Sequence, residues 1–203
     1  KIELQNKNEL SKFSPQLEKD IDLLISQSDR CNQILKKLSL NPDIKDEFIN
    51  SEISLADNLN EIIKSFQDIS DKEFFLDLEK NKFPIKFRRS IEINYGLRNF
   101  IGNANKFSNQ KIYVILISDK TRTKVKITDD GPGFPGDIID RLGEPYIKTS
   151  STTVKSKIGL GLGTFIGKTL IEKNFGNVIF EKISKSKGAS VSIEWFNEDL
   201  KKI

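Results

Sequence analysis

The chain has no histidine and no methionine, a single cysteine (Cys31) and a single tryptophan (Trp195). One cysteine cannot close an internal disulfide, so the fold must hold by packing alone, as in a reducing compartment. Without histidine the commonest general base and metal ligand is absent from every position. No apolar run approaches the roughly 20 residues that span a bilayer, and no signal peptide is visible, so no membrane contact is expected of these residues. The net charge of +4 comes without a strong local basic cluster, which argues against nucleic acid. A chain that starts at Lys1 and lacks methionine throughout reads as a piece or processed product of something longer. What remains is 203 residues, 36% hydrophobic and 31% charged, enough to build a soluble core.

The first segment reads as helical. Ser14-Pro15 is a helix start signal, and Leu17, Ile21, Leu24, Ser28, Cys31, Leu35 and Leu38 then step by four and three. That is a heptad seam with one serine in it, which must be buried; self-association into a helical bundle is the economical solution, and packing on the chain's own domain is the alternative. Leu40-Asn41-Pro42-Asp43 ends it. We divide the chain into a helical segment over 1–41, a linker over 42–51, a domain over 52–197 and a tail over 198–203.

Within the domain, Ser54-Leu55-Ala56-Asp57 opens a short helix to about Phe66, and Glu73–Leu78 is a candidate strand. Phe87–Phe107 reads as a long helix. Lys111–Ile117 is a nearly continuous apolar run, as in a buried strand, and pairs with Thr123–Thr128 through a hairpin at Asp119-Lys120-Thr121. Gly163–Phe175 is helical, with Gly176 as its C-terminal cap. Val178–Ile183 and Ala189–Phe196 form a last hairpin, with Val191, Ile193 and Trp195 on one face. Strands mixed with helices in this order predict an α+β sandwich, helices on one side of the sheet.

Three stretches carry chemistry. In the long helix Ile93, Leu97, Phe100, Ile101 and Ala104 form an apolar stripe, while Asn99, Asn103 and Lys106 share a neighbouring face. An amide oxygen is a hard, neutral ligand for magnesium, and a lysine one turn on can meet a phosphate; an ordinary solvated face fits equally. Asp129-Asp130-Gly131-Pro132-Gly133 follows a strand. Its glycines permit close approach to a planar ligand and its carboxylate can accept from an exocyclic amine such as that of adenine, although the same residues make a plain turn. Gly159-Leu160-Gly161-Leu162-Gly163 leads into a helix, a natural phosphate site, but with neither the dinucleotide GxGxxG nor the Walker GxxxxGK spacing. Tyr146–Ile158 between them, with Lys148, Lys155 and Lys157, reads as a lid over phosphates or as a plain loop.

NxxxNAxKF, DxGPGF and GLGLG, in that order and spacing, resemble the asparagine box and two glycine boxes of the sensor histidine kinase ATP-binding domain, within the wider superfamily of gyrase and MutL. The resemblance covers about residues 52–197 and implies a Bergerat-type (GHKL) α/β sandwich that binds ATP with Mg2+, preceded by a partial dimerisation and phosphotransfer hairpin. SQSDRCNQILKKLS and Leu142-Gly143-Glu144-Pro145-Tyr146 resemble segments of the RegB/PrrB-type redox-responsive kinases. The resemblance implies that Asn103 coordinates magnesium with Asn99 in support, that Lys106 contacts phosphate and that Phe107 packs near the nucleotide. It implies further that Asp129 takes the adenine amine in a pocket shaped by Gly131 and Gly133. Lys148, Gly159, Gly161, Leu162 and Gly163 fall on the phosphate side, and Cys31 matches the redox-active cysteine, a small buried hydrophobe being its plain alternative. It also implies a homodimer, a cognate response regulator and the cytoplasmic portion of an inner-membrane sensor. The phosphate-accepting histidine is missing, so the chain as it stands is expected to bind ATP without phosphorylating itself. Superfamily ATPases carry a glutamate four residues before the magnesium-binding asparagine as base for water; here that position is Asn99, which cannot take a proton near neutral pH.

Overall fold

The computed structural model describes residues 51–147, 162–181 and 188–203. The chain divides into two units, Lys1–Lys45 and Asp46–Ile203, and all described residues belong to the second. The heptad segment and Cys31 therefore lie outside the described residues.

Among the described residues a five-stranded sheet runs in the order β2-β4-β5-β7-β6, with β2 Glu73–Asp77, β4 Lys111–Ser118, β5 Arg122–Asp129, β6 Asn177–Glu181 and β7 Ser190–Phe196. All neighbours are antiparallel except β2 and β4, which are parallel because a helical crossover separates them. One face carries α1 (Leu55–Gln67), α2 (Ile91–Phe107) and α3 (Leu162–Lys173). Alternation along the strands sends Ile112, Val114, Leu116, Val125, Ile127, Ile193 and Trp195 toward those helices, where they join Leu59, Ile62, Ile93, Leu97 and Ile101 in one core. The α2 stripe expected from spacing is thus the surface that docks the helix on the sheet.

Helix starts are where the side chains dictate them. The Ser54 hydroxyl accepts from the Asp57 N–H at the head of α1, and Ser90 from the Ile93 N–H at the head of α2. Here the expected long helix shortens. Phe87 is in a strand, β3 (Lys86–Arg88), paired antiparallel with β1 (Glu52–Ser54), and is buried. A three-residue strand is too short to show periodicity, and its aromatic falls in phase with the helix that follows. The β4 run is also less buried than a continuous apolar stretch suggests: Tyr113 is exposed on the outer face, stacked on Phe75 with ring centroids 5.0 Å apart.

The C-terminal end of α3 corrects a second detail. The left-handed residue is Phe175 (φ 60°), not Gly176. Gly176 is required for contact: a Cβ there would sit 2.4 Å from Ile171 Cγ2 and 2.8 Å from Trp195 Nε1. The Gly176 N–H still closes the helix on the Ile171 carbonyl. Beyond β7, Asn197–Leu200 forms a short helix, α4, with Leu200 fully buried, so residues read as a tail complete the core.

Candidate functional site

The site lies where the C-terminal half of α2, the start of α3 and the end of β5 meet. Two glycines let the helices close on each other. A Cβ at Gly96 would be 2.6 Å from Ile171 Cγ1, and one at Gly167 would be 3.0 Å from Asn99 Cβ. This approach sets α3 along the polar face of α2. Asn99 donates its Nδ2 to the Tyr95 carbonyl at 2.8 Å, and Asn103 donates its Nδ2 to Thr164 Oγ1 at 3.2 Å. With both amide nitrogens engaged, both oxygens turn to one place: a Cβ on Gly163 would lie 3.4 Å from Asn99 Oδ1 and 4.0 Å from Asn103 Oδ1. The glycine keeps that place open.

The second part is built on Asp129, the last residue of β5, which is 5% exposed. Its Oδ1 accepts from the Gly131 N–H at 2.8 Å and the Ala189 N–H at 3.2 Å. Burial pushes this carboxyl above the usual carboxylate range; the two N–H groups pull it back, and the charge of Asp130 adds to the rise. A carboxylate has about four acceptor positions, and among the described residues Asp129 Oδ2 accepts nothing. The surrounding backbone is tight. A Cβ on Gly131 would stand 2.3 Å from the Phe107 carbonyl oxygen, and Gly133 (φ +81°) and Gly188 (φ +131°) use conformations that side chains disfavour.

Asp130 is tied differently. Its carboxylate accepts from the Asn109 N–H (2.8 Å) and the Gln110 N–H (3.0 Å), while Asn109 Nδ2 donates to the Asp130 carbonyl. Burial opposes its ionisation, but the N–H groups of Gln110, Lys111 and Asn109 outweigh that and hold it below the usual range.

The structure thus brings together Asn99, Asn103 and Gly163 in one cluster, and Phe107, Asp129, Gly131 and Gly133 in the other. Leu162 begins α3, half-buried. Lys106 is exposed and its ammonium lies 5.6 Å from the Phe107 ring centroid, a cation–π contact with its own neighbour. Lys148, Gly159, Gly161 and most of the expected lid lie outside the described residues. The sequence reading missed Thr164, Gly188, Ala189 and Asp130. Gly188 carried a signal, a lone glycine between two strands, but a hairpin turn absorbs such a glycine without comment. Among the described residues no group of three Asp, Glu, His or Cys side chains could hold a metal. The amide oxygens of Asn103 and Asn99 suit a hard cation that brings most of its own oxygen ligands with it.

The model of the histidine kinase-, DNA gyrase B- and HSP90-like ATPase family matches residues 89–199. The sensor histidine kinase RegB of Cereibacter sphaeroides is 32% identical over 175 residues, covering 82% of this chain and 37% of RegB. The chain therefore spans little more than a third of that relative. Among solved structures, the mycobacterial sensor histidine kinase MprB superposes with a TM-score of 0.58 at 20% identity, covering 73% of this chain and 97% of that one. Full-length ShkA in complex with AMPPNP gives 0.55 at 20% identity, over 72% of this chain and 31% of that one. At such identity these two bear on the fold alone, and that fold is the expected α/β sandwich.

Proposed function

The chain belongs to the histidine kinase-, DNA gyrase B- and HSP90-like ATPase family, and on that premise we propose that it is the nucleotide-binding core of a RegB-type sensor histidine kinase. Its adenine acceptor is Asp129, its magnesium ligand Asn103 with Asn99 beside it, and its phosphate cation Lys106. The observation that carries the reading is the Asp129 carboxylate, buried at the sheet end, held by two N–H groups on one oxygen and with the other left to accept. An exocyclic amine is the donor that such an oxygen would take. Phe107, Gly131 and Gly133 line the same pocket. Lys148, Gly159, Gly161, Leu162 and Gly163 belong to the phosphate side.

The reaction is transfer of the γ-phosphoryl in line to a histidine, with ADP leaving, and then from that histidine to an aspartate of a response regulator. Asn103 would hold a magnesium ion through its amide oxygen, and that ion would supply neutralisation of the charge on the transferring group. Lys106 has to swing from Phe107 to add its charge, a rotamer change on an exposed side chain. Asn99 separates this chemistry from hydrolysis. Its amide nitrogen is bound to the Tyr95 carbonyl, and the oxygen it presents cannot take a proton from water. The acceptor histidine is not in the sequence, so the chain binds nucleotide and awaits an acceptor supplied from outside it.

The rest of the reading concerns the longer protein: residues 1–41 as dimerising hairpin helices joined by a linker over 42–51, Cys31 on the dimer seam as a redox-responsive thiol, and a cytoplasmic position below a membrane sensor. No helix among the described residues is long and apolar enough to cross a membrane.

The test is calorimetric titration with Mg-ADP and Mg-ATP, with phosphate release followed in the same samples. Asp129→Asn should weaken binding by about 10- to 100-fold, the cost of one hydrogen bond to a buried charge, with negligible release by either protein. Equal binding by both proteins, or none at millimolar nucleotide, overturns the assignment.

A further inference from the structure

Two parts of the site come from segments distant in sequence: the amides of α2 and the carboxylate at the end of β5. Something must hold them at a fixed separation. The side chain that does so stands beside the adenine acceptor. Asp130 Oδ1 accepts from two successive backbone N–H groups, of Asn109 at 2.8 Å and Gln110 at 3.0 Å, just past the end of α2. The second oxygen shares the Gln110 N–H at 3.1 Å. Asn109 answers through its own amide, donating to the Asp130 carbonyl at 2.5 Å, and the Asp130 N–H donates to the Lys111 carbonyl at 3.2 Å. From the other side Lys72 donates to the Ser108 carbonyl at 3.0 Å and to the Asn109 carbonyl. The Gly131 backbone lies against the Phe107 carbonyl in the same joint.

We propose that Asp130 is a positioning residue for nucleotide binding, a clamp that ties the end of α2 to the Asp129 loop and so sets the span between the phosphate and adenine ends of the site. This rests on Asp129 being the amine acceptor. Asp130 itself touches no proposed ligand group; it acts through the backbone of residues 109–111 and through Asp129.

The clamp has a second consequence. Two carboxylates on adjacent residues repel, and Asp130 stays ionised because its backbone donors favour the charged form. Its charge therefore makes Asp129 harder to ionise. Among the described residues, the other charged groups on the flanking segments are Asp71, Lys72 and Glu73 at the start of β2, Lys111 at the start of β4 and Lys106 in the last turn of α2. Of the flanking acids, Asp130 is the one whose charge adds to the rise at Asp129. Nucleotide binding that needs ionised Asp129 must weaken on acidification; burial is the main cause of its raised pKa and the Asp130 charge adds to it.

The experiment is calorimetric titration of the full 203-residue chain with Mg-ADP across pH 5 to 8, for the wild type, Asp130→Asn and Asp130→Ala, with Asp129→Asn alongside. Because all proteins meet the same ligand in the same buffers, protonation of the nucleotide cancels in the comparison. Asp130→Asn keeps an oxygen for both N–H groups and removes the charge. It should bind within about threefold of wild type at pH 7.5, with the acid limb of its profile moved to lower pH. Asp130→Ala should weaken binding about tenfold or more, since it leaves two backbone donors without their charged acceptor. Wild-type affinity in Asp130→Ala overturns the clamp. An unmoved acid limb in Asp130→Asn overturns the charge coupling to Asp129, and should Asp130→Ala fail to fold, wild-type affinity in Asp130→Ser, whose hydroxyl is one bond short of the carboxylate oxygens, overturns the clamp. If Asp129→Asn binds like wild type, the adenine assignment fails instead, and the two failures are told apart.

Discussion

Replacing Gly131 by alanine adds one methyl group at a tight joint of the site, and its cost can be worked from the backbone. The new Cβ would lie 2.3 Å from the Phe107 carbonyl oxygen, 2.9 Å from the Phe107 carbonyl carbon and 2.8 Å from Asp129 Oδ1. Two of these are backbone atoms at the end of a helix docked on the sheet, which cannot rotate away as a side-chain tip can. Overpacking a closed site costs about 1–3 kcal/mol, and a clash with backbone belongs at the upper end, about 3 kcal/mol. For a domain of this size that lowers the melting temperature by about 6–12 °C. Gly136 is the internal control. It lies in the same loop region, is not among the positive-φ glycines, and a Cβ there would meet nothing within 4 Å. Gly136→Ala should be neutral or stabilise by up to about 1 kcal/mol, by narrowing the unfolded ensemble. Trp195 is the sole tryptophan and 1% exposed, so its emission follows unfolding of this domain in heat or urea. Gly131→Ala melting within about 2 °C of the wild type would refute the close approach of the α2 end to the Asp129 loop.

Glu181 gives a pH prediction. Burial works against its ionisation, but Lys126, Ser192 and Ser190 hydrogen-bond it and hold its pKa at about 2, down from 4.5. A depressed carboxylate contributes stability that is present above the unfolded pKa and lost as pH falls from about 4.5 toward 2. The full shift corresponds to about 3 kcal/mol, and with the side chain still 28% exposed, screening reduces it to about 1–2 kcal/mol. Glu181→Gln should therefore lose about 1–2 kcal/mol at pH 7 in urea melts and converge on the wild type as pH falls toward 2; a constant gap would show that the charge is not the cause. Magnesium gives another. With no multi-acid cluster among the described residues, Mg2+ alone should give no saturable heat, whereas EDTA should weaken ADP binding about tenfold; ADP affinity unchanged by EDTA would remove Asn103 as a metal ligand.

What could be read from the sequence divides along a physical line. Periodicity reports burial against a large surface, and on α2, β5 and β7 the expectation holds, while the heptad seam lies outside the described residues. The α2 stripe, the inward faces of β5 and β7 and the Ser54 cap of α1 all stand where spacing and capping put them. The pairing of Asn99 with Asn103 follows from spacing too, because one helix carries both. Elements below one period do not register: β1 and β3 are three residues each, and Phe87 was lost to the helix beside it. Contact between distant segments is equally silent. Thr164 reaches Asn103 across 61 residues and Ala189 reaches Asp129 across 60, and neither residue type announces such a partner.

Glycine is where the two kinds of information meet, and it explains why the motifs were visible before their geometry was. A glycine in sequence states only that a Cβ is unwelcome, not what it would strike. The structure supplies a different object at each position: the Phe107 carbonyl at Gly131, the Gly188 carbonyl at Gly133, the Asp129 carbonyl at Gly188, and the amide oxygens of α2 at Gly163. The first three make one stack, in which the end of α2, the Asp129 loop and the strand leading into β7 approach by backbone alone. A site assembled from backbone contacts leaves its mark in the sequence as missing side chains. Asp130 is the side chain that closes the same joint, through the N–H groups of Asn109 and Gln110.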